Sequence, residues 1–267
     1  MPELPDVERF KRYFNSTSLH KTIDSIEVHH RRVLENVSPR FLQESLAGAS
    51  FEETARIGKY LFARISKKRG WLVLHFGMTG YLKYFQSAGD GPEHERMLIL
   101  FENGYSLAYV CRRLLGKISI TASPEKYAAD TGLGPDAAAI SREQFAELFS
   151  GGRGTVKSAL MNQKKITGLG NIYTDELLFQ AGVHPETKKS ELSRETVNRL
   201  YKKRGEILGT AIDNNAEIDQ FPSFYLLPHR EKDAKCPNCG GQIKKIKVGG
   251  RGTFFCPACQ KKRKPPA

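Results

Sequence analysis

The chain has 267 residues, 39% hydrophobic and 27% charged, which suits one large domain or two with an appendage and excludes a largely disordered chain. A formal net charge of +13 points to an anionic partner, either nucleic acid or an acidic membrane surface, and says nothing of fold. The amino terminus MPELPDVERF is acidic early and lacks an apolar stretch of signal length, and the longest apolar-leaning run, Trp71 to Leu82, is too short for a membrane-spanning helix. A cytoplasmic, nucleoid-associated monomer with no membrane partner is expected.

In chain order, PDVERFKRYFNSTSL predicts a helix, with Val7, Phe10 and Phe14 at helical spacing and Asp6 as N-cap. FEETARIGKYLFARI, WLVLHFGM, RMLILFENGYSLAYV and LGKISITA predict strands, and Asn103-Gly104 predicts a hairpin turn. Residues 1–130 therefore read as β-rich behind a leading helix. Ala128 to Ile140, rich in Ala, Gly and Asp, reads as a linker. Beyond it the chain turns helical. Ser141 and Gln144 form a capping box before Phe145, Leu148 and Phe149. NIYTDELLFQAG is a helix with a glycine stop, and SRETVNRLYKKRGEILGTAID places Val197, Leu200, Tyr201, Ile207, Leu208 and Ala211 on one face. The linker and helices make a second segment, residues 131–230, and a cysteine-bearing module fills 231–267. No internal repeats are read.

That last module carries Cys236-x2-Cys239-x16-Cys256-x2-Cys259. Two CxxC pairs at this spacing supply four thiolates, a closed tetrahedral shell for one structural Zn²⁺ per chain, with no open position for catalysis. The metal would replace a core that about 30 residues can hardly build. From Lys232 onward ten lysines and arginines face a single acid, Asp233, so the segment stays basic even with four thiolates around zinc. Between the pairs, KKIKVGGRGTFF predicts two strands joined by Gly249-Gly250-Arg251-Gly252. Two readings of Arg251 stand here: a phosphate clamp, or a solvated residue on an ordinary hairpin tip. Cys111 is read as a small core residue rather than a nucleophile.

Four stretches taken together resemble one family. MPELPDVE at the start, LHFGMTGYL at 74–82, MNQKKITGLGNIYTDELLFQAGVHP at 161–185 and the terminal cysteine module occur in the order found in the formamidopyrimidine-DNA glycosylase and endonuclease VIII family. The resemblance runs nearly end to end. It implies an α+β multidomain fold: an N-terminal β-sandwich with a leading helix, then a helix–two-turn–helix domain with a zinc β-hairpin. It implies a base-excision repair enzyme, both DNA glycosylase and AP lyase, whose partner is duplex DNA containing damaged bases or abasic sites, with the damaged nucleotide flipped out.

The residue roles come with the resemblance. Loss of Met1 exposes the secondary amine of Pro2 as nucleophile; Glu3 donates and accepts protons; Lys59 approaches the lesion phosphate and the departing group. A free terminal amine titrates near 7.7–8.0, and the positive end of the first helix favours its neutral form. Asn171 and Arg251 match the residues that hold lesion phosphates, and Gly168 and Gly170 would open a helix with N–H groups aimed at an anion. Met78, Arg113 and Leu115 would fill the gap left by the flipped base.

This sequence departs from the purine-specific members at three places. CRRLLG at 111–116 stands where they carry a DPRRFG-like run, Asp6 stands where they carry Glu, and no glycine lies between Gly209 and Gly240, where they carry a glycine-rich lid. Base specificity is left open by these departures. Two other readings are kept beside the enzyme: a catalytically inactive DNA-damage binding protein, against which Pro2, Glu3 and Lys59 together argue, and a zinc-ribbon nucleic-acid-binding module, against which the amino-terminal motif argues.

Overall fold

The computed structural model describes residues 1–86 and 91–262. Arg263 and Lys264 of the basic tail lie outside the described residues. The chain divides into two compact units, one of Met1–Pro2 with Asp6–Gly132, the other of Glu3–Pro5 with the chain from Leu133 onward.

Helix α1 (Leu4–Ser18), which belongs to the first unit from Asp6 onward, buries Val7, Phe10 and Phe14. It starts two residues before the expected N-cap, so Asp6 lies in its first turn, where a carboxylate still faces the positive helix end. Two antiparallel sheets follow. One has strands β1 (Ile23–Val28), β6 (Glu95–Phe101), β7 (Ser106–Val110) and β5 (Tyr81–Phe85) in spatial order 1-6-7-5; the other has β2 (Phe51–Ile57), β3 (Tyr60–Ile65), β4 (Trp71–His75) and β8 (Lys117–Thr121) in order 2-3-4-8. Alternate side chains of both sheets meet in one core, Ile23, Met97, Ile99 and Leu107 from the first and Phe51, Leu61, Leu72, Leu74 and Ile118 from the second, which makes a β-sandwich. The β6–β7 hairpin turns at Asn103-Gly104 as expected, with Gly104 at φ +80°. Strands β1 and β5 and helix α2 (Pro39–Leu46) were not foreseen. Helix α3 (Pro124–Thr131), capped by Ser123, takes the first four residues of the expected linker and stops at Gly132, which adopts the left-handed conformation at φ +67°.

In the second unit, Ser141 forms its capping box at the start of α4 (Arg142–Glu147). Helices α5 (Val156–Leu160), α6 (Asn171–Gln180) and α7 (Arg194–Asp213) surround a core that includes Leu4, Phe145, Leu160, Leu177, Leu200 and Ile207. Strands β9 (Lys244–Val248) and β10 (Arg251–Phe255) form the expected hairpin, with Arg251 paired to Val248. Phe179 and Leu226 pack with Ile243, Cys236 and Cys256 in a separate small cluster beneath the cysteine module. Between α7 and β9 the chain is packed rather than open: Phe221, Tyr225, Leu226 and Leu227 are buried, while Phe224 is 56% exposed. No helix among the described residues is long and apolar enough to cross a membrane.

Candidate active site

Helix α6 is buried almost all round, from Tyr173 to Phe179, so every polar group on it needs a partner. Its N-cap, Gly170, has no side chain with which to satisfy the first turn. The partner comes from far along the chain. The Glu3 carboxylate accepts hydrogen bonds from the N–H groups of Gly170 at 2.7 Å, Ile172 at 2.8 Å and Tyr173 at 3.2 Å. Glu3 is 1% exposed, and the next N–H, that of Leu4, donates to the Gly168 carbonyl at 3.0 Å. A carboxylate seated on three backbone donors at a positive helix end is fixed in one orientation.

This corrects the expectation for Gly168 and Gly170. Their N–H groups are not open to a DNA phosphate. That of Gly168 donates to Gln163 Oε1 at 3.1 Å, that of Gly170 to Glu3, and the anion at this helix terminus is the chain's own. Gly168 serves backbone geometry, at φ +111°.

Asn171 is the first residue of α6. Its Nδ2 donates to the Gly252 carbonyl at 2.9 Å, which joins the helix to strand β10 and brings Asn171 beside Arg251. One amide N–H remains for another acceptor, and Oδ1 is shut from solvent without a partner. Arg251 is exposed, following Gly249 and Gly250 at φ +55° and +77°. The hairpin is tied to α6 a second time through Asp175. Its Oδ1 accepts from Lys157 Nζ at 2.5 Å; its Oδ2 accepts from Arg230 Nε at 3.0 Å, Arg230 Nη2 at 2.7 Å and the Phe254 N–H at 3.1 Å. Lys157 also donates to Thr253 Oγ1 at 2.6 Å, and both members of the Lys157–Asp175 pair are essentially solvent-free. Burial lowers the Lys157 ammonium, opposed by the Asp175 charge.

The four cysteine sulfurs of 236, 239, 256 and 259 lie within 4.8 Å of one another. Cys236 and Cys259 are 3.8 Å apart and Cys239 and Cys256 3.5 Å, close to the roughly 3.8 Å edge of a tetrahedron with Zn–S bonds near 2.3 Å. The donor set therefore fits a structural zinc, which would hold the base of the hairpin that carries Arg251.

In the first unit, Lys59 occupies the two-residue turn between β2 and β3, where Gly58 at φ +57° is the glycine such a turn requires. Arg56 braces that turn, donating to the Gly58 carbonyl at 3.0 Å and pairing with Glu8 at 2.9 Å. Lys59 is 7% exposed and close enough to His75 to depress it. Burial first, then the charges of Lys59 and Lys117, push His75 down to about 4, so its imidazole is neutral at neutral pH, and its Nδ1 is enclosed without a partner. The Met78 and Arg113–Leu115 loops also meet. A side chain on Gly77 would strike the Leu115 carbonyl carbon at 2.6 Å, so the two backbones touch there. Met78 is half-exposed rather than core, Arg113 and Leu115 are exposed, and Leu114 is held at φ +53°. Cys111 is buried in the core beneath them. Pro2 is half-exposed, one residue from Glu3.

Sequence reading passed over His75, Gln163, Lys157, Asp175 and Glu176. For Lys157, Asp175 and Glu176 the available signal was charge on the apolar helices KSALM and NIYTDELLF, which a buried helix tolerates only when the charge is paired; His75 and Gln163 carried no such signal.

Residues 1–118 match the model of the formamidopyrimidine-DNA glycosylase N-terminal domain, residues 131–223 the model of its H2TH domain, and residues 234–262 that of a zinc finger found in FPG and IleRS. The formamidopyrimidine-DNA glycosylase of Bacillus subtilis (strain 168) is 33% identical over 279 residues, covering 98% of this chain and all of that protein. That of Gluconobacter oxydans (strain 621H) is 34% identical over 281 residues with the same coverage. Among solved structures, Lactococcus lactis Fpg in complex with DNA containing an abasic site superposes with a TM-score of 0.86 at 29% identity, covering 97% of this chain and all of that one. The same protein with FAPY-dG containing DNA gives 0.87 at 29% identity and the same coverage.

Proposed function

Since the chain belongs to the formamidopyrimidine-DNA glycosylase family, and is with it a DNA glycosylase with AP lyase activity acting on damaged DNA, we propose that Pro2, Glu3 and Lys59 carry the chemistry. Once Met1 is removed, the Pro2 nitrogen attacks C1′ of the damaged nucleotide. The glycosidic bond breaks, its electron pair leaves with the base, and a proton reaches the base. The Pro2 nitrogen loses its own proton as the sugar ring opens to an iminium. That cation accepts the electrons of the C2′–H bond as its proton leaves, and they expel the 3′ phosphate by β-elimination; loss of the C4′ proton from the resulting conjugated iminium then expels the 5′ phosphate by δ-elimination.

The observation that carries this reading is the Glu3 carboxylate, fixed by three backbone donors one residue from the nucleophile. Glu3 manages the protons of ring opening and base departure. Lys59, presented by a braced two-residue turn, places a cation at the lesion phosphate. Asn171 and Arg251, joined through Gly252, hold the neighbouring phosphates, and zinc keeps their hairpin folded. Met78, Arg113 and Leu115 fill the vacated stack. DNA is the place of action, which puts the protein with the nucleoid.

Glu3→Gln tests this assignment. It should slow removal of an oxidised base far more than cleavage of a preformed abasic site, because only the former involves departure of a base. Equal loss on both substrates would assign Glu3 a purely structural role at α6. An inactive damage-binding protein would leave abasic DNA uncut in the parent chain as well.

A further inference from the structure

The pentapeptide Gly-Gly-Arg-Gly-Thr occurs twice in this chain, at Gly151–Thr155 and at Gly249–Thr253. No repeat was read from the sequence, and five residues are too few for a repeated fold. What recurs is a local shape. The first two glycines of both copies are left-handed, at φ +59° and +70° in one and +55° and +77° in the other. The arginine that follows is exposed in both. The threonine is anchored in both: Thr155 caps α5 by accepting from the Ser158 N–H, and Thr253 is fully buried against Lys157. Each copy lifts an arginine from a fixed base.

The two turns border one open cavity of about 700 Å³ in the second unit. Arg153, Lys188 and Lys247 line it, are exposed, and form no ion pair among the described residues. The acid in its wall, Glu186, is already matched by Lys262 at 3.1 Å. The first turn is held from behind: Lys189 Nζ donates to the Gly151 carbonyl at 2.7 Å and the Lys189 N–H to that of Gly154 at 3.1 Å. The N–H groups of Gly152, Arg153 and Gly154, all in the cavity wall, donate to nothing among the described residues and so remain as donors for an anion.

We propose that this cavity binds a phosphodiester of duplex DNA away from the lesion, with Arg153 as a second arginine clamp. The proposal rests on the placement of Arg251 at lesion phosphates. Gly249, in the cavity wall, is two residues from Arg251, so their Cα atoms are at most about 7.6 Å apart. A duplex carries one charge per roughly 1.7 Å of its axis. DNA held at Arg251 therefore offers further phosphates over the distance to the cavity, and three exposed cations without an ion pair among the described residues meet them there. The contact is independent of sequence and of damage, so it serves retention on the duplex rather than the chemical step.

The test is the salt dependence of binding to undamaged duplex DNA for Arg153→Ala and for the triple Arg153→Ala, Lys188→Ala, Lys247→Ala. Each lost phosphate contact should reduce the slope of log K against log salt by about 0.9. The triple variant should lose at least that much, Arg153→Lys should keep most of the parent slope, and single-turnover cleavage of abasic DNA at saturating enzyme should be unchanged. A parent-like slope in the triple variant, with zinc content and thermal midpoint intact, overturns the proposal. So does a triple variant that loses affinity for inorganic phosphate while keeping the duplex slope, which would make the cavity a free-anion site. Failure of the Arg251 placement would show as a parent-like salt slope in Arg251→Ala, whatever the slope of the triple variant, so the two failures are separable.

Discussion

Asp175→Asn should be among the most damaging single changes in the second unit, although it alters one atom. Asp175 is solvent-free and accepts from Lys157, twice from Arg230, and from the Phe254 N–H. The amide keeps the shape and removes the charge. Arg230 is 18% exposed and can recover water, but Lys157 is 1% exposed and cannot. Breaking a buried pair from one side costs about 3–5 kcal/mol. A separate limit agrees: Lys157 can escape by shedding its proton, and taking a lysine from its ordinary value near 10.4 to neutral at pH 7 costs at most about 4.6 kcal/mol at 1.36 kcal/mol per unit. The sign of the pH dependence follows. If the variant folds with Lys157 neutral, the unfolded chain binds the extra proton, so the deficit should shrink by about 1.4 kcal/mol per unit between pH 7 and 9. Urea unfolding of the zinc-loaded protein at several pH values measures it. Because Asp175 also holds Phe254, DNA affinity should fall with stability. A deficit under about 1 kcal/mol at pH 7 would refute the reasoning and mean that water reaches Lys157.

Three further outcomes are expected. Glu176 is fully buried, and burial raises its carboxyl to about 7 against opposing hydrogen bonds from Gln180 and the Leu226 and Leu227 N–H groups. The folded state thus holds a proton that the unfolded state releases from pH 4.5 upward, and stability is lost as pH rises to about 7. Glu176→Gln should therefore gain on the order of 3 kcal/mol over the parent at pH 8 and little at pH 4, read by thermal or urea unfolding. Arg251→Ala should keep one zinc per chain and weaken DNA binding alike across sequences with a shallower salt slope, whereas Cys→Ser at 236, 239, 256 or 259 should lower both zinc content and binding; parent-like binding by Arg251→Ala would remove the clamp. Single-turnover rates on matched duplexes should be faster for oxidised pyrimidines, formamidopyrimidines or abasic sites than for 8-oxoguanine opposite cytosine, because the chain before β9 is packed on Phe221, Tyr225 and Leu227 instead of forming a glycine lid.

Local chemistry was legible wherever it was written in consecutive residues. The capping box at Ser141, the Asn103-Gly104 turn, the helical faces of α1 and α7 and the cysteine pairs all read correctly because each depends on residues within one or two turns. Strand β1, IDSIEV, was missed because its half-exposed pattern carries little apolar contrast. The linker was read too long because Ala and Asp outweighed the Ser123-Pro124 helix start. Gly168 and Gly170 show the deeper limit. Their pattern reads as N–H groups free for a DNA phosphate, and the carboxylate that takes the Gly170 N–H instead comes from Glu3, 167 residues away in sequence. The Asp175 network was hidden for the same reason, being assembled from Lys157, Arg230 and Thr253 on separate elements.

The Pro2 amine is the centre of the proposed chemistry. Borohydride reduction during reaction with abasic duplex DNA should trap the iminium as a covalent protein–DNA adduct, and peptide mapping should place the DNA on Pro2. Pro2→Gly, or a tag left uncleaved ahead of Pro2, should abolish or strongly weaken trapping while zinc content and duplex affinity stay near the parent. An adduct of undiminished yield from the tagged protein, or one mapped to Lys59, would contradict it.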